Sequence, residues 1–346
     1  MSRVSIARSI GSSVTTFVVM AAVCLGFSRP VQALEIAQRF ARLCVQRDSL
    51  PSDTQHTLEV LLDVVDNPNC IEAERRLSEL DELNLSVREI VDLSPIETLP
   101  HLQRLDLSLN QIEDLSPLAS LPNLQELLLS DNQVLDVSPL ASLPLTKLNL
   151  DRNLISDLSP LATQVQLRSL SVRDNRVSDL TPLVSLVRIE ALFLDGNQIS
   201  DLSPLTALQQ LEGMDLSRNQ IESLRPLAEM EQLIWIAMSD NQISNLRPLR
   251  KLSELTELDL SGNQISNVRP LRRLSAMDEL FLNNNQIEDV RPLASLTGLT
   301  ALFLSGNQLS DVRSLSSLTN LSRLTLTENP LENPTCPVQP ERVCQF

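Results

Sequence analysis

Four aromatic side chains recur at repeated positions and are candidates for anchoring a partner. Phe193, Phe281 and Phe303 share one position in a phrase that returns as LFLDGNQISDLSPL, LFLNNNQIEDVRPL and LFLSGNQLSDVRSL. Trp235 lies two residues before that position in another copy. Exposed aromatic clusters on rigid elements are typical binding hot spots. The alternative is that the rings only cover one another, since Phe281 and Phe303 occupy equivalent places in neighbouring copies.

Arginines form a second regular file, at a position where earlier copies carry a hydroxyl residue. Guanidinium groups bind carboxylate and phosphate well, so the file predicts a basic stripe for an anionic partner such as a glycan or an acidic peptide. Alternatively, the arginines offset neighbouring acids or record the duplication of one copy. The arginines are Arg225, Arg247, Arg269, Arg291 and Arg313, with Arg250, Lys251, Arg272 and Arg273 nearby, and the earlier residues are Ser94, Ser116, Ser138, Ser159, Thr181 and Ser203.

Residues that usually carry catalysis are sparse. His56 and His101 are the two histidines, we expect both to be exposed, and no phosphate-binding glycine loop, metal cluster or nucleophile motif is present. One aspartate per copy is too few for calcium, which takes about six to eight oxygen ligands, so turn or cap roles fit this file better. We therefore expect no enzymatic activity, no cofactor and no metal site. The file comprises Asp92, Asp114, Asp136, Asp157, Asp179 and Asp201.

An asparagine that recurs every 22 residues, with one interval of 21, sets the frame for these positions. The surrounding pattern, LxxLxLxxNxIxDLxPLxxLxx, matches the leucine-rich repeat signature. Asn285 and its equivalents should satisfy buried backbone groups rather than bind a partner. The pattern predicts about twelve coils. The asparagines are Asn110, Asn132, Asn153, Asn175, Asn197, Asn219, Asn241, Asn263, Asn285, Asn307 and Asn329.

Stacked coils predict an α/β solenoid: a horseshoe with a parallel β-sheet on the concave side and short 3₁₀ or helical turns on the convex side. Ser116 before Pro117 resembles a helix N-cap with proline in the first turn. Strand alternation turns the residues beside the leucines outward, so the four aromatics should face the concave surface. There Ala191 and Gly213, beside Trp235, would leave room for a ligand or for the indole to lie flat. The acids expected around them are Asp215, Glu257, Asp259 and Glu279.

Four cysteines flank the repeats and should close both ends. An even number in an exported chain favours disulfides. Because the repeats separate the first two from the last two, we predict Cys44–Cys70 and Cys336–Cys344. Helical apolar spacing over 34–44, 54–65 and 71–80 predicts a helical cap. The expected organisation is a signal peptide at 1–33, an N-terminal cap at 34–79, leucine-rich repeats at 80–332 and a C-terminal cap at 333–346.

The NQIxDLxPL repeat resembles those of the internalin-type leucine-rich repeat proteins of bacteria. The stretch from Leu43 to Leu80 and the tail TCPVQPERVCQF resemble the caps of exported repeat proteins common in cyanobacteria. The resemblance implies a curved solenoid that binds protein partners on its concave sheet. It does not extend to the immunoglobulin-like domain or wall anchor of internalins, so host-cell invasion is not implied.

The N-terminus has the features of a targeting segment. Arg3 and Arg8 precede an apolar run at 14–27, and Val31-Gln32-Ala33 fits a cleavage site after Ala33. The alternatives are an uncleaved membrane anchor and, less well supported, a lipoprotein modified at Cys24. Cleavage would change the formal charge from −16 to −19, because three arginines and no acids leave.

Composition excludes some partners. The chain carries 28 Lys and Arg against 44 Asp and Glu, with one Trp and no Tyr, so it is poorly suited to phosphate backbones or base stacking. We expect a monomeric, non-enzymatic module of the periplasm or the outside of the cell, without a transmembrane segment after cleavage, that binds a protein, a peptide or a glycan. The alternatives are a structural envelope component and an intracellular repeat protein that regulates a phosphatase.

Overall fold

The computed structural model describes residues 39–332 and 334–346. The predicted signal peptide, at 1–33, and the first residues of the predicted N-terminal cap lie outside the described residues. Among the residues described, no helix is both long and apolar enough to cross a membrane.

In the described part of the chain, three short helices cover the first coil. They are α1 (Arg39–Val45), α2 (Ser52–Val64) and α3 (Cys70–Leu77), with a 3₁₀ turn at Arg47–Ser49. Their apolar faces bury Phe40, Leu58, Leu61 and Leu77. The predicted disulfide between Cys44 and Cys70, which joins α1 to α3, is confirmed.

Polar contacts fix this helical cap on the repeats. The Thr57 hydroxyl donates to the Asp92 carbonyl at 2.7 Å, and Arg88 pairs with Asp63 at 2.9 Å. His56 and His101, expected to be exposed, are instead partly buried. Their Nε2 atoms bond the carbonyls of Arg88 and Leu77, which gives both histidines a structural task between the cap and the first coils.

Among the described residues, thirteen parallel strands form one sheet in which each strand pairs with its neighbours in sequence. The register advances by one coil per strand, so Leu280 lies opposite Leu302 and Phe281 opposite Phe303. The predicted solenoid is confirmed. The strands are β1 (Glu82–Asn84), β2 (Arg104–Asp106), β3 (Glu126–Leu128), β4 (Lys147–Asn149), β5 (Ser169–Ser171), β6 (Ala191–Phe193), β7 (Gly213–Asp215), β8 (Trp235–Ala237), β9 (Glu257–Asp259), β10 (Glu279–Phe281), β11 (Ala301–Phe303), β12 (Arg323–Thr325) and β13 (Cys344–Gln345).

The asparagines form a ladder inside the stack. The Asn285 side-chain amide donates to the carbonyls of Leu282 in its own coil and Leu260 in the preceding coil, at 3.2 and 3.0 Å. Its oxygen accepts from the Ile265 amide at 3.0 Å. Asn285 is 7% exposed, so the predicted structural role is confirmed.

The opposite wall consists of 3₁₀ turns, and the residue that caps them differs from the prediction. In the turn Ser116–Ser120, the side chain of Ser116 is not the cap. The Asp114 carboxylate, two residues upstream, accepts from the Ser116 amide at 2.8 Å. The equivalent turns are Ser94–Thr98, Ser138–Ser142, Ser159–Thr163, Thr181–Ser185, Ser203–Ala207, Arg225–Glu229, Arg247–Lys251, Arg269–Arg273, Arg291–Ser295 and Arg313–Ser317.

The C-terminal segment closes the last coil. Its own Val338 and Val343 are buried, and the predicted Cys336–Cys344 disulfide is confirmed. The segment also contributes β13, which pairs with β12. This strand adds to the twelve that the repeats predict, because backbone groups of β12 would otherwise lie at an open sheet edge.

Candidate functional site

The four aromatics lie on one surface, the outward face of the sheet. Phe193, Phe281 and Phe303 end their strands and Trp235 begins β8; all four are partly exposed. Their neighbours Leu192, Ile236, Leu280 and Leu302 point into the core and are 0–1% exposed. Strand alternation therefore separates the rings from the apolar filling, as the register predicts.

Two groups of rings form on this face rather than one continuous patch. The first, here called the tryptophan cluster, contains Arg173, Phe193, Gly213 and Trp235. The indole lies over Gly213 and reaches Phe193 two strands away, with ring centroids 5.5 Å apart. The Arg173 guanidinium carbon lies 4.6 Å from the centroid of the Phe193 ring, a cation–π distance.

The second group, here called the phenylalanine pair, contains Phe281 and Phe303. Their rings stack with centroids 4.4 Å apart and an interplanar angle of 5°. The Arg323 guanidinium carbon lies 5.3 Å from the Phe303 centroid. The rings do cover each other, yet both remain partly exposed, so mutual packing leaves apolar surface available.

The predicted acids lie between and beside these groups. Asp215 and Asp259 each accept a bond from the backbone amide two residues on, at 3.1 and 2.9 Å, which stabilises the turn after the strand. Glu257 lies opposite Glu279 in the register. Burial first, and then repulsion from Glu279 and Asp259, raise the pKa of Glu257. This part of the face therefore concentrates negative charge.

A charged network that sequence reasoning missed borders the tryptophan cluster. Arg218 pairs with Asp174 at 2.8 Å and with Asp195 at 2.6 Å. Arg173 Nε lies 2.9 Å from Asp195 Oδ1 without the alignment of a hydrogen bond. Burial raises the pKa of Asp195 even though Arg218 bonds it and lowers that pKa.

The sequence carried a signal for part of this network. Asp151, Arg173 and Asp195 occupy the outward position two residues after the central strand residue, where the later coils carry Ser217, Ser239 and other small polar side chains. Three consecutive charged residues in that column indicate that the side chains of neighbouring coils interact there. The same column bonds across coils elsewhere, as when Asp151 accepts from the Arg173 amide at 2.8 Å.

The predicted arginine stripe lies on the 3₁₀ turns, away from the rings, and divides into two kinds. Arg291 and Arg313 pair with Asp289 and Asp311 at 2.9 and 2.7 Å. Arg225, Arg247 and Arg269 have no acidic partner within 4.0 Å among residues 39–332 and 334–346. Pairing with a neighbouring acid therefore explains only Arg291 and Arg313.

The aspartates of the file stabilise the turns, as the turn or cap role predicted for them requires. Hydrogen bonds from Ser159, Thr181 and Ser203 lower the pKa values of Asp157, Asp179 and Asp201. Within the described part of the chain, no three His, Cys, Asp or Glu side chains form a group suited to a metal ion.

Comparison with known proteins places this geometry in a family. The sequence matches the family described as leucine-rich repeats (2 copies) over residues 78–120, 165–207, 231–273 and 275–313. An internalin (inlF) from Listeria monocytogenes is 32% identical, with a TM-score of 0.72, over 82% of this chain and 90% of the internalin. The chain belongs to the leucine-rich repeat family.

Other structures share the fold of this leucine-rich repeat protein at lower identity. A repeat protein of Leptospira interrogans is 21% identical with a TM-score of 0.60, over 86% of this chain and 92% of that chain. A plant peptide hormone receptor, RGFR1 in complex with RGF2, is 21% identical with a TM-score of 0.62, over 74% of this chain and 49% of the receptor. No curated protein matches the sequence.

Proposed function

We propose that this leucine-rich repeat protein is a non-enzymatic module that binds a protein or peptide on the outward face of its sheet. The observation that carries the proposal is the placement of both ring groups on that face. The chain has seven Phe and one Trp, and four of these eight residues lie there. Rigid, partly exposed aromatic groups are the usual anchors of protein interfaces.

The charges around the rings define the kind of partner. Arg173 and Arg323 flank the two groups, while Glu257, Asp259 and Glu279 lie between them. A ligand with apolar side chains spaced about two strands apart, roughly 10 Å, and basic groups between them fits this pattern. The plant receptor bound to RGF2 demonstrates that the fold can hold a ligand, although its identity to this chain is only 21%.

We further propose that the protein is exported and acts in the periplasm, at the envelope or outside the cell. Two disulfides support this location, since such bonds persist in oxidising compartments. The similarity to an internalin points the same way. The apolar run and the cleavage pattern within 1–33 provide a route for export.

Affinity capture with matched variants tests the binding face. The tagged protein and the triple variant Trp235→Ser/Phe281→Ser/Phe303→Ser are incubated with envelope, periplasmic and medium fractions of the native organism, and captured proteins are quantified. A control triple, Leu135→Ser/Val184→Ser/Val187→Ser, removes as many exposed apolar side chains from outside the sheet. We expect a partner that the parent and the control recover equally and that the ring variant loses about tenfold or more. Equal recovery by a folded ring variant would refute the proposed face.

A further inference from the structure

A strongly basic surface lies on the turns of two consecutive coils, remote from the rings. It is formed by Arg247, Arg250 and Lys251 of one turn and by Arg269, Arg272 and Arg273 of the next, and it is here called the basic cleft. All six are exposed. They make up six of the 28 Lys and Arg residues of a chain whose formal charge is −16.

The cleft is a recess, not a flat patch. A depression of about 720 Å³ is lined by these six side chains together with Asn267 and Pro270. A neighbouring depression of about 310 Å³, which extends to Arg225, shares Arg247, Arg250 and Lys251. Volumes of about 300–1,000 Å³ are typical of small-molecule sites.

The two turns of the cleft lack the capping acid and yet keep the capping bond. Eight other turns have an aspartate two residues before the turn begins, and the turn at Arg225 has Ser223, but here Asn245 and Asn267 take that place. Their side-chain oxygens still accept from the amides of Arg247 and Arg269, at 3.1 and 3.0 Å. The capping bond is kept while the negative charge is absent, so positive potential is left uncompensated.

The guanidinium groups of the cleft are correspondingly unpaired. Within the described ranges, the only ion pair of the cleft joins Lys251 to Glu229, at 2.8 Å. Arg291 and Arg313 provide the contrast, because at the same repeat position each is neutralised by its aspartate. The unpaired arginines are concentrated where two turns stack.

We propose that the basic cleft binds a segment of an acidic polysaccharide, through sulfate, phosphate or carboxylate groups. Arginine forks bind such groups in a bidentate manner. Among the described residues, no exposed large apolar side chain lies in the cleft, so it lacks both the apolar and aromatic anchors of a protein interface and a group to insert into a membrane. It also lacks aromatic rings on which nucleobases would stack.

The probes are dextran sulfate and neutral dextran. Each is titrated into the full chain at two salt concentrations, and calorimetry measures the binding. Two double variants are compared. Arg250→Ser/Arg272→Ser removes two unpaired cations from the cleft, whereas Arg291→Ser/Arg313→Ser removes two paired cations. Both change the formal charge from −16 to −18, so long-range charge effects are matched.

The parent is expected to bind dextran sulfate and not dextran. Its binding of dextran sulfate should be weaker at the higher salt concentration. The cleft variant should lose about tenfold or more in affinity, and the paired variant less than about twofold. Equal losses in the two variants would show diffuse charge attraction and overturn the site, as would equal binding of both dextrans. Tighter binding to polyglutamate or to phosphatidylserine vesicles would overturn the choice of a polysaccharide. This site is independent of the ring groups, so either proposal can fail alone.

Discussion

Trp235 occupies the space above Gly213. A Cβ atom on Gly213 would lie 1.9 Å from Trp235 Cε2 and Nε1. The absence of a side chain on β7 is what lets an indole from β8 lie flat and reach Phe193 on β6.

Gly213→Ala should therefore displace the indole without breaking the fold. Loss of the contact with Phe193 should lower the free energy of unfolding by about 0.5–1.5 kcal/mol. Because Trp235 is the single tryptophan, fluorescence emission reports its displacement as a red shift. Gly298→Ala is the control, since its new Cβ would be no closer than 3.4 Å to Met277 O. A variant with unchanged emission and stability would contradict the packing described.

The period of the repeat made the fold and the side of each ring predictable. One asparagine per coil determines the register, and the register determines which side chains face solvent. Side-chain contacts between coils were harder to predict from the sequence. The stacking of Trp235 on Phe193 depends on side-chain rotamers. The pairing of Arg218 with Asp195, one coil away, and with Asp174, two coils away, depends on how the turns after the strands stack.

Two local predictions failed, the exposure of His56 and His101 and the identity of the capping residue. Sequence preference favours serine at an N-cap, and Ser116 precedes a proline as such a cap often does. The turn is a 3₁₀ helix that starts at Ser116, so a longer reach from Asp114 is needed to satisfy its amide. Arginine can replace serine at this position because the bond depends on the residue two places earlier.

The corrected cap makes a quantitative prediction. Asp114→Ala should cost about 1 kcal/mol of stability, the usual effect of losing a capping side chain. Ser116→Ala should cost much less, because the Ser116 backbone amide keeps its bond to Asp114. Urea denaturation of the two variants checks this order. A larger loss for Ser116→Ala would restore the serine as the cap.

The asparagine ladder should be sensitive to removal of its amide. Asn285→Leu leaves the buried amide of Ile265 and the carbonyl of Leu260 without this partner, at a cost of about 1–3 kcal/mol for an unsatisfied buried group. Asn329→Leu, at the partly buried end of the ladder, should cost less. The midpoints of urea unfolding measure both. Equal losses would mean that burial does not determine the cost.

The two disulfides should differ in their contribution to stability. Cys44 and Cys70 are 26 residues apart and Cys336 and Cys344 are 8 apart. A longer closed loop restricts the unfolded chain more, by about 1 kcal/mol for this ratio. Cys44→Ser/Cys70→Ser should thus melt at a lower temperature than Cys336→Ser/Cys344→Ser. The reverse order would indicate that closure of the β12 edge by β13 dominates.

The pair formed by Asp311 and Arg313 predicts a defined acid response. The hydrogen bond from the Arg313 side chain, and then that from its backbone amide, lower the pKa of Asp311 to about 2. The unfolded value is about 3.9, so the contribution of this pair to stability is complete above about pH 4 and is lost as the pH falls toward 2.

Carbon-13 carboxylate NMR should place the titration of Asp311 near pH 2 in the parent. In Arg313→Ala, which leaves no side-chain donor, the midpoint should rise toward the ordinary value, but not reach it, because the backbone amide still donates to Asp311. Asp201, whose partner is Ser203, should titrate identically in both proteins, and an unchanged Asp311 midpoint in the variant would show that the backbone alone lowers its pKa.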